Sequence, residues 1–413
     1  MVTAVRDVPA RGGLVSNDRA QCPRSRTVFR SVELFTGAGG LALGTHAAGF
    51  RHVALLDHNR DACDTLRANA HDNTISDIAR WEIIEGDVRG VDFASFGALD
   101  LIAGGPPCQP FSIGGKHRGT EDSRNMIPEF IRAVREVMPR AFIMENVRGL
   151  LRPAFGDYFS YALLELTYPS IERRLHEEWP DHYRRLLAAR EGGAPAEYLL
   201  DHQVVNAADY GIPQFRARVF VVGFRADQAV AWRFPGPTHA RDALLRDQWV
   251  TGAYWDKHGL ERPPTPLGMS TCLDRLSRLE LPFTSPWRTM RDAIADLPEP
   301  AHFDVPGILN HRYILGARSY PGHTGSVLDW PAKTLKAGGH GVPGGENMIA
   351  LPDGSVRYFT VRESARLQTF PDTWRFEGAW GEIMRQLGNA VPMELARVMA
   401  SAVMDRLVGV DGG

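Results

Sequence analysis

The sequence predicts an α/β fold: a mostly parallel sheet with helices on both faces, followed by a smaller, irregular second region. Three observations lead there. Short apolar runs recur between residues 31 and 146 with helix-like segments among them. Several of these runs end in a carboxylate or a glycine, as strands do when they open into loops at one edge of a sheet. From about residue 226 to 330 the periodicity gives way to Pro-, Arg- and Trp-rich sequence.

Taken in order, residues 1–30 are polar and aperiodic and are expected to form a flexible tail. The runs "SVELFT" (31–36), "HVALLD" (52–57), "EIIEGD" (82–87), "LDLIAG" (99–104) and "AFIMEN" (141–146) read as strands, with "NRDACDTLRANA" and "IPEFIRAVREVM" as helices between them. Residues 150–200 look like a helical insertion, clearest in "SYALLELTYPSIERRLHEEW". Two further strands, "DHQVVNA" and "RVFVVGF", complete a first domain over 31–225. The second domain is expected over 226–345. Helical patterning returns in "TVRESARLQTF" and "VPMELARVMASAVMDRL", so residues 346–413 are expected to pack back onto the first domain.

Composition narrows the possibilities. With 44% hydrophobic and 23% charged residues, the 413-residue chain is an ordinary globular protein. No apolar run approaches the roughly 20 residues that cross a bilayer, and the amino terminus lacks the apolar core of a secretory signal, so a cytoplasmic location is expected. The four cysteines are far apart and form no C-x-x-C pair, which suits free thiols. The 14 histidines make neither H-E-x-x-H nor zinc-finger spacing, so no protein metal site is expected. A net charge of −2 leaves room for a nucleic-acid partner only through a local basic surface.

"FTGAGGLALG" (35–44) follows the first strand and opens a helix, where glycines let a ligand approach the backbone. Gly37, Gly39 and Ala42 satisfy the dinucleotide fingerprint, and Asp57 follows about 20 residues on, suited to a ribose hydroxyl. The pattern admits a nicotinamide or flavin enzyme, another nucleoside cofactor, or a structural turn. Asp87 adds a carboxylate beside the same crevice, suited to accept from an amino group such as that of adenine; a helix cap is the plainer alternative. In "GGPPCQPFS" (104–112) prolines on both sides of Cys108 fix backbone dihedrals and remove donors, so the segment is a held loop. A cysteine becomes a nucleophile only as an accessible, stabilised thiolate, because a free thiol with pKa near ~8.5 is little ionised at neutral pH. Glu145, in "MENV" at the end of the fifth run, can supply acid chemistry. "GIPQFRARVF" contributes Gln214, Arg216 and Arg218, and arginines two apart on an extended segment share a face suited to an anion or a polar ring.

Together these motifs resemble the DNA cytosine-5 methyltransferases of bacterial restriction-modification systems. "FTGAGGLALG", "GGPPCQPFS", "MENV", "QFRAR", "RESARLQTFPD" and "GNAVP" occur in family order and span residues 31 to about 395. The resemblance implies a Rossmann-like methyltransferase sheet over 31–225, a target-recognition domain over 226–345 and a carboxyl-terminal segment that completes the catalytic domain. It implies S-adenosyl-L-methionine near Phe35, Gly37, Gly39, Asp57, Asp87, Pro107 and Asn389. Cys108 would be the nucleophile, assisted by Glu145 and by Arg216 and Arg218. The implied partner is double-stranded DNA with its target base flipped, met by a monomer, with a cognate restriction endonuclease possible.

Residues 111–126 resemble the family's mobile loop over DNA, where Lys116, His117 and Arg118 would meet phosphates. "WPAKTLKAGGHG" (330–341) resembles the recognition segment around Thr334 and Leu335, flanked by Lys333 and Lys336. Thr334, Leu335 and Lys336 are therefore expected at DNA. Two departures stand out: Asp57 occupies a position where relatives commonly have glutamate, and the helical insertion is longer than in compact relatives. A dinucleotide oxidoreductase would leave Cys108, Glu145 and the two arginines unused. A transfer RNA cytosine methyltransferase would share nearly all the motifs, but the long variable segment favours a reader of duplex DNA.

Overall fold

The computed structural model describes residues 28–107, 125–278, 284–303, 305–337 and 345–412. The main sheet has seven strands in the order β3-β2-β1-β4-β5-β7-β6. They are β1 (Arg30–Leu34), β2 (Arg51–Asp57), β3 (Ile83–Glu85), β4 (Leu101–Gly104), β5 (Ala141–Val147), β6 (Tyr198–Asn206) and β7 (Ala217–Arg225). The first five run parallel, while β7 inserts between β5 and β6 and is antiparallel to both. The strand order reverses beside β1, and at such a switch point a crevice opens outside the carboxyl ends. The expected α/β class is the one observed.

Local chemistry accounts for the elements. β4 is buried along its whole length, as a strand covered on both faces must be. Helix α1 (Gly40–Ala47) starts from the glycine turn, and α2 (Arg60–His71) is capped by Asn59, whose side chain accepts from the Ala62 N–H at 2.9 Å. Helix α3 (Ile127–Val137) carries Pro128 in its first turn, where a missing N–H costs nothing. One core packs Phe130, Phe142, Leu166 and Tyr198 on one face of the sheet. Another packs Leu41, Phe220, Leu395 and Val403 on the other.

The insertion differs from expectation. The helical insertion comes in two pieces, and its expected clearest part, 160–179, is interrupted: α4 (Gly156–Thr167) stops and α5 (Trp179–Glu191) begins only at its end. Pro169 disfavours helical geometry at Tyr168, and Pro180 sits in the first turn of α5, so the sequence breaks and restarts the helix itself.

The second region has short elements: β8 (His239–Ala240), α6 (Arg241–Arg246), α7 (Ala253–Lys257), α8 (Ser270–Arg278), β9 (Ser285–Pro286) and α9 (Met290–Ile294). A small sheet of β10 (Ser326–Val327), β11 (Met348–Ala350) and β12 (Val356–Tyr358) crosses the boundary expected at 345. Helices α10 (Val361–Leu367), α11 (Trp380–Asn389) and α12 (Met393–Gly412) follow. Among the described residues no helix is long and apolar enough to cross a membrane, and no His/Cys/Asp/Glu group could hold a metal ion. Residues 1–27, with Cys22, lie outside the described residues.

Helices α1 and α12 pack so closely that a Cβ added at Gly44 would stand 2.4 Å from the Ala396 Cβ and 2.6 Å from the Arg397 nitrogen. Neither obstacle is a flexible side-chain end, so Gly44→Ala should destabilise by about 1–3 kcal/mol through overpacking. Gly409→Ala is the control: nothing lies within 4 Å of its added Cβ. In a helix that change should be neutral or stabilise by up to about 1 kcal/mol. Thermal unfolding of the two variants checks the pair, and equal midpoints would refute the close crossing.

Candidate active site

The strand ends build a cleft of about 710 Å³, lined among others by Phe35, Gly37, Asp57, Asp87, Pro107, Glu145, Arg218 and Asn389. At the end of β1 the chain turns sharply. Phe35 takes a φ of 58°, a left-handed conformation that costs a side-chain-bearing residue about 1–2 kcal/mol. Gly37 follows with a φ of 56°, and its N–H donates to the Asp57 Oδ2 at 2.7 Å. The Asn59 N–H donates to the other carboxylate oxygen at 2.8 Å. Asp57 thus clamps the glycine turn to the end of β2. A Cβ at Gly37 or Gly86 would meet nothing within 4 Å, so both backbones stand open to a ligand. Gly39 does not line the cleft; its missing side chain makes room for Leu66 and Trp374, 2.9 and 3.3 Å from where a Cβ would be.

Asp87 is exposed and clasped by Arg89, with the shortest contact 2.6 Å. Those side-chain hydrogen bonds, helped by the Arg89 backbone N–H, hold its carboxyl down to about 2. It remains an acceptor at any physiological pH.

Glu145 on β5 is buried, with its Oε1 2.9 Å from the Arg218 Nε on neighbouring β7. Burial pushes its carboxyl above the usual range, against the opposing pull of Arg218 and Arg216. Gly105 allows the approach, because a Cβ there would lie 3.1 Å from the Glu145 Oε2. Beside it, Asn146 donates from Nδ2 to the Pro106 carbonyl at 3.1 Å and accepts from the Val147 N–H at 2.8 Å. Asn146 therefore ties the Gly105–Pro107 segment, which leads directly to Cys108, to the end of β5. In the sequence the role of Asn146 is signalled only by an amide in "MENV" and a proline-rich segment elsewhere, and nothing local marks Gln386, which also lines the cleft.

The two arginines part ways. Arg218 faces Glu145, whereas Arg216 has no exposed surface and donates to the Leu335 carbonyl at 3.1 Å and the Gly388 carbonyl at 2.7 Å. Arg216 does not line the cleft. Nearby, the Thr334 hydroxyl donates to the Phe215 carbonyl at 2.5 Å, and the Leu335 N–H donates to the Gln214 Oε1 at 3.0 Å. Leu335 is 1% exposed and packs with Met290, Ile349 and Leu367, so its side chain is a core residue and not a surface contact. Lys336 is half exposed and paired with Glu346 at 2.5 Å. Cys108, Lys116, His117 and Arg118 lie outside the described residues.

Comparison with known proteins follows the same outline. The family model for C-5 cytosine-specific DNA methylase matches residues 29–168, 183–250 and 318–405. The type II methyltransferase M.PspPI of Psychrobacter sp. (strain TA137) is 32% identical over 390 residues, covering 92% of this chain and 80% of the relative. The type II methyltransferase M.NgoMIV of Neisseria gonorrhoeae is 31% identical over 389 residues, covering 92% and 98%. The crystal structure of the S. pombe Dnmt2 methyltransferase superposes with a TM-score of 0.52 at 16% identity over 92% of this chain and 99% of that one, a likeness of fold.

The arginine geometry separates two roles. Arg216→Lys should lower stability by about 2–3 kcal/mol, because one ammonium cannot reach two carbonyls on different elements and leaves at least one unpaired. Arg218→Lys keeps a cation beside Glu145 and should cost less. Denaturant unfolding of both variants tests this, and a smaller loss at Arg216 than at Arg218 would contradict the assignment.

Proposed function

The chain belongs to the C-5 cytosine-specific DNA methylase family, and on that premise we propose that it methylates carbon 5 of a flipped cytosine through a covalent Cys108 adduct. The observation that carries the reading is the meeting, in one cleft, of the glycine turn, Pro107, which directly precedes Cys108 in the chain, and the buried Glu145–Arg218 pair.

S-adenosyl-L-methionine fits this cleft. Its volume falls in the range of about 300–1,000 Å³ usual for such ligands, and the backbone at Gly37 and Gly86 is open. Phe35, Gly37, Asp57, Asp87, Pro107 and Asn389 would hold it, with Gly39 supporting the turn from behind. When bound, it supplies an electrophilic methyl group.

The residues of the chain do the rest. Carbon 5 of cytosine is too poor a nucleophile to take a methyl group unaided. Addition of the Cys108 thiolate at carbon 6 makes an enamine whose carbon 5 is nucleophilic. Glu145 holds ring nitrogen 3 and the exocyclic amine and donates a proton as the adduct forms; burial suits it to carry that proton. Arg218 faces the carbonyl oxygen, and Arg216 fixes the backbone around it. Once carbon 5 is methylated, its proton passes to water, Cys108 departs as the thiolate, and the nitrogen-3 proton returns to Glu145. The ring must leave the duplex first, at a cost of a few kcal/mol.

Residues 226–345 supply sequence readout in this reading, with Thr334, Lys336, Lys116 and Arg118 placed along the DNA and Leu335 packed in the core. The setting is a bacterial restriction-modification system, where the enzyme works as a monomer in the cytoplasm and a cognate endonuclease cuts the same site unmodified. Bisulfite sequencing of DNA from a methylation-free host expressing the protein tests the function and gives the target.

In that assay, Cys108→Ala should leave no methylated cytosine, and Glu145→Gln should slow transfer by roughly 100-fold or more. In vitro, DNA carrying 5-fluorocytosine should trap the wild-type enzyme covalently, since fluorine cannot leave as a proton does. Substantial turnover by the alanine variant would sink the mechanism.

Asp57→Ala frees the Gly37 N–H from its clamp and should weaken S-adenosyl-L-methionine binding roughly 10- to 150-fold, the scale of a charge-assisted hydrogen bond. The methylated sequence should not change. Calorimetric titration checks the first statement, and an unaltered affinity would remove Asp57 from the site.

A further inference from the structure

We propose that Asn125 and Tyr158 are positioning residues that fix the neck formed by Pro107 and Met126, the described residues flanking the segment that carries Cys108, an inference that rests on the Cys108 reading above. The chain leaves β4 through Gly105, Pro106 and Pro107 and is described again from Asn125. At this neck the Met126 N–H donates to the Pro107 carbonyl at 3.4 Å. Each side of the neck has a polar tie to a fixed element. On the outgoing side, Asn146 of β5 holds the Pro106 carbonyl. On the returning side, the Asn125 Nδ2 donates to the Tyr158 hydroxyl of α4 at 2.5 Å, while its Oδ1 accepts from the Ile127 N–H at 3.3 Å.

This second tie is built into a core rather than laid on a surface. Asn125 is 9% exposed and Tyr158 6%. The Tyr158 ring packs edge-on against Trp179 at 6.0 Å and beside Tyr161 at 6.2 Å. Tyr161 is fixed in turn: its hydroxyl meets the His182 Nδ1 at 2.9 Å, and the His182 Nε2–H donates to the Ile171 carbonyl at 2.6 Å. The helical insertion thus acquires a role. Its aromatic cluster braces the Tyr158 hydroxyl that holds Asn125.

The energetic consequence falls on the chemical step. A thiolate must approach the ring face within a narrow cone, and displacements near 1 Å can cost about 100-fold in rate. Cys108 directly follows Pro107, so freedom at the neck passes straight to the sulfur. Losing the Tyr158 hydroxyl also leaves a buried amide without that partner.

Tyr158→Phe and Asn125→Ala should each slow single-turnover methyl transfer to unmethylated genomic DNA about 10-fold, equivalent to about 1.4 kcal/mol, with the S-adenosyl-L-methionine Kd changed less than about two-fold. The double variant should be little slower than Asn125→Ala alone, because that change already removes the bond that Tyr158→Phe breaks. Tyr161→Phe is the structural control: it loosens the cluster without touching Asn125 and should lower the thermal midpoint while keeping the rate. Wild-type rates in Tyr158→Phe, or an equal slowing in Tyr161→Phe, would overturn the assignment. Trapping of the wild-type enzyme on DNA amplified with 5-fluoro-dCTP separates the two readings. Absence of an adduct defeats the Cys108 nucleophile, whereas equal single-turnover rates defeat the neck.

Discussion

A guanidinium with no contact with solvent holds three parts of this molecule together. Arg216 lies just before β7, and its two hydrogen bonds end on Leu335, in the irregular region, and on Gly388, in the last turn of α11. Burial works against the charge and lowers its pKa well below the ordinary value. Removing such an ion from water costs several kcal/mol unless the fork is matched by acceptors, so the arrangement is stable only when all three segments arrive. Gly388 permits the meeting, since a Cβ there would lie 2.2 Å from the Ala337 nitrogen. One residue further on is Asn389, at the cleft. The wall of the cleft at Asn389 therefore depends on a charge that never reaches it.

Within the cleft, environment separates carboxyl groups of the same chemistry. Glu145 is enclosed, and the loss of hydration outweighs two nearby arginines, so its carboxyl is raised. Asp87 is exposed and clasped by Arg89, and its carboxyl is lowered to about 2. The first is suited to carry a proton and the second only to accept a hydrogen bond, the division that one site running acid chemistry beside polar recognition requires. The raised group also needs room to approach the loop before it, and that room is the missing side chain of Gly105.

What could be read in the sequence was what is local. The strand ends at Asp57 and Gly104, and those just before Asp87 and just after Asn146, were visible because apolar runs stop at polar residues or glycine; the glycine turn was visible because its conformation demands glycine at Gly37. The break at Pro169 was also local but was overridden by the apolar spacing on either side of it. Other features were hidden because their causes are distant. Arg216 and Arg218 look equivalent two residues apart, and both act on Glu145. Only the fold shows that one guanidinium is claimed by carbonyls 119 and 172 residues away. Leu335 reads as a surface residue beside lysines, yet it fills a small core with Met290 and Ile349.

The same long-range pairing bears on how recognition and chemistry can share one polypeptide. Residues 213–216 run alongside 332–335: Ala332 exchanges backbone hydrogen bonds with Pro213 and Phe215, Thr334 caps the Phe215 carbonyl, and Gln214 receives the Leu335 N–H. Arg218 and Glu145 stand two positions further along this strand and on its neighbour. The segment proposed to read bases is therefore bonded directly to the chain that enters β7, the strand bearing Arg218. Rigid attachment suits the task, because a reader able to drift by an ångström relative to Glu145 would place a correctly recognised cytosine out of reach of its chemistry. On the proposed reading, variation in sequence preference can accumulate in the loops beyond 226 as long as the short stretch of backbone from Ala332 to Leu335 keeps its partners.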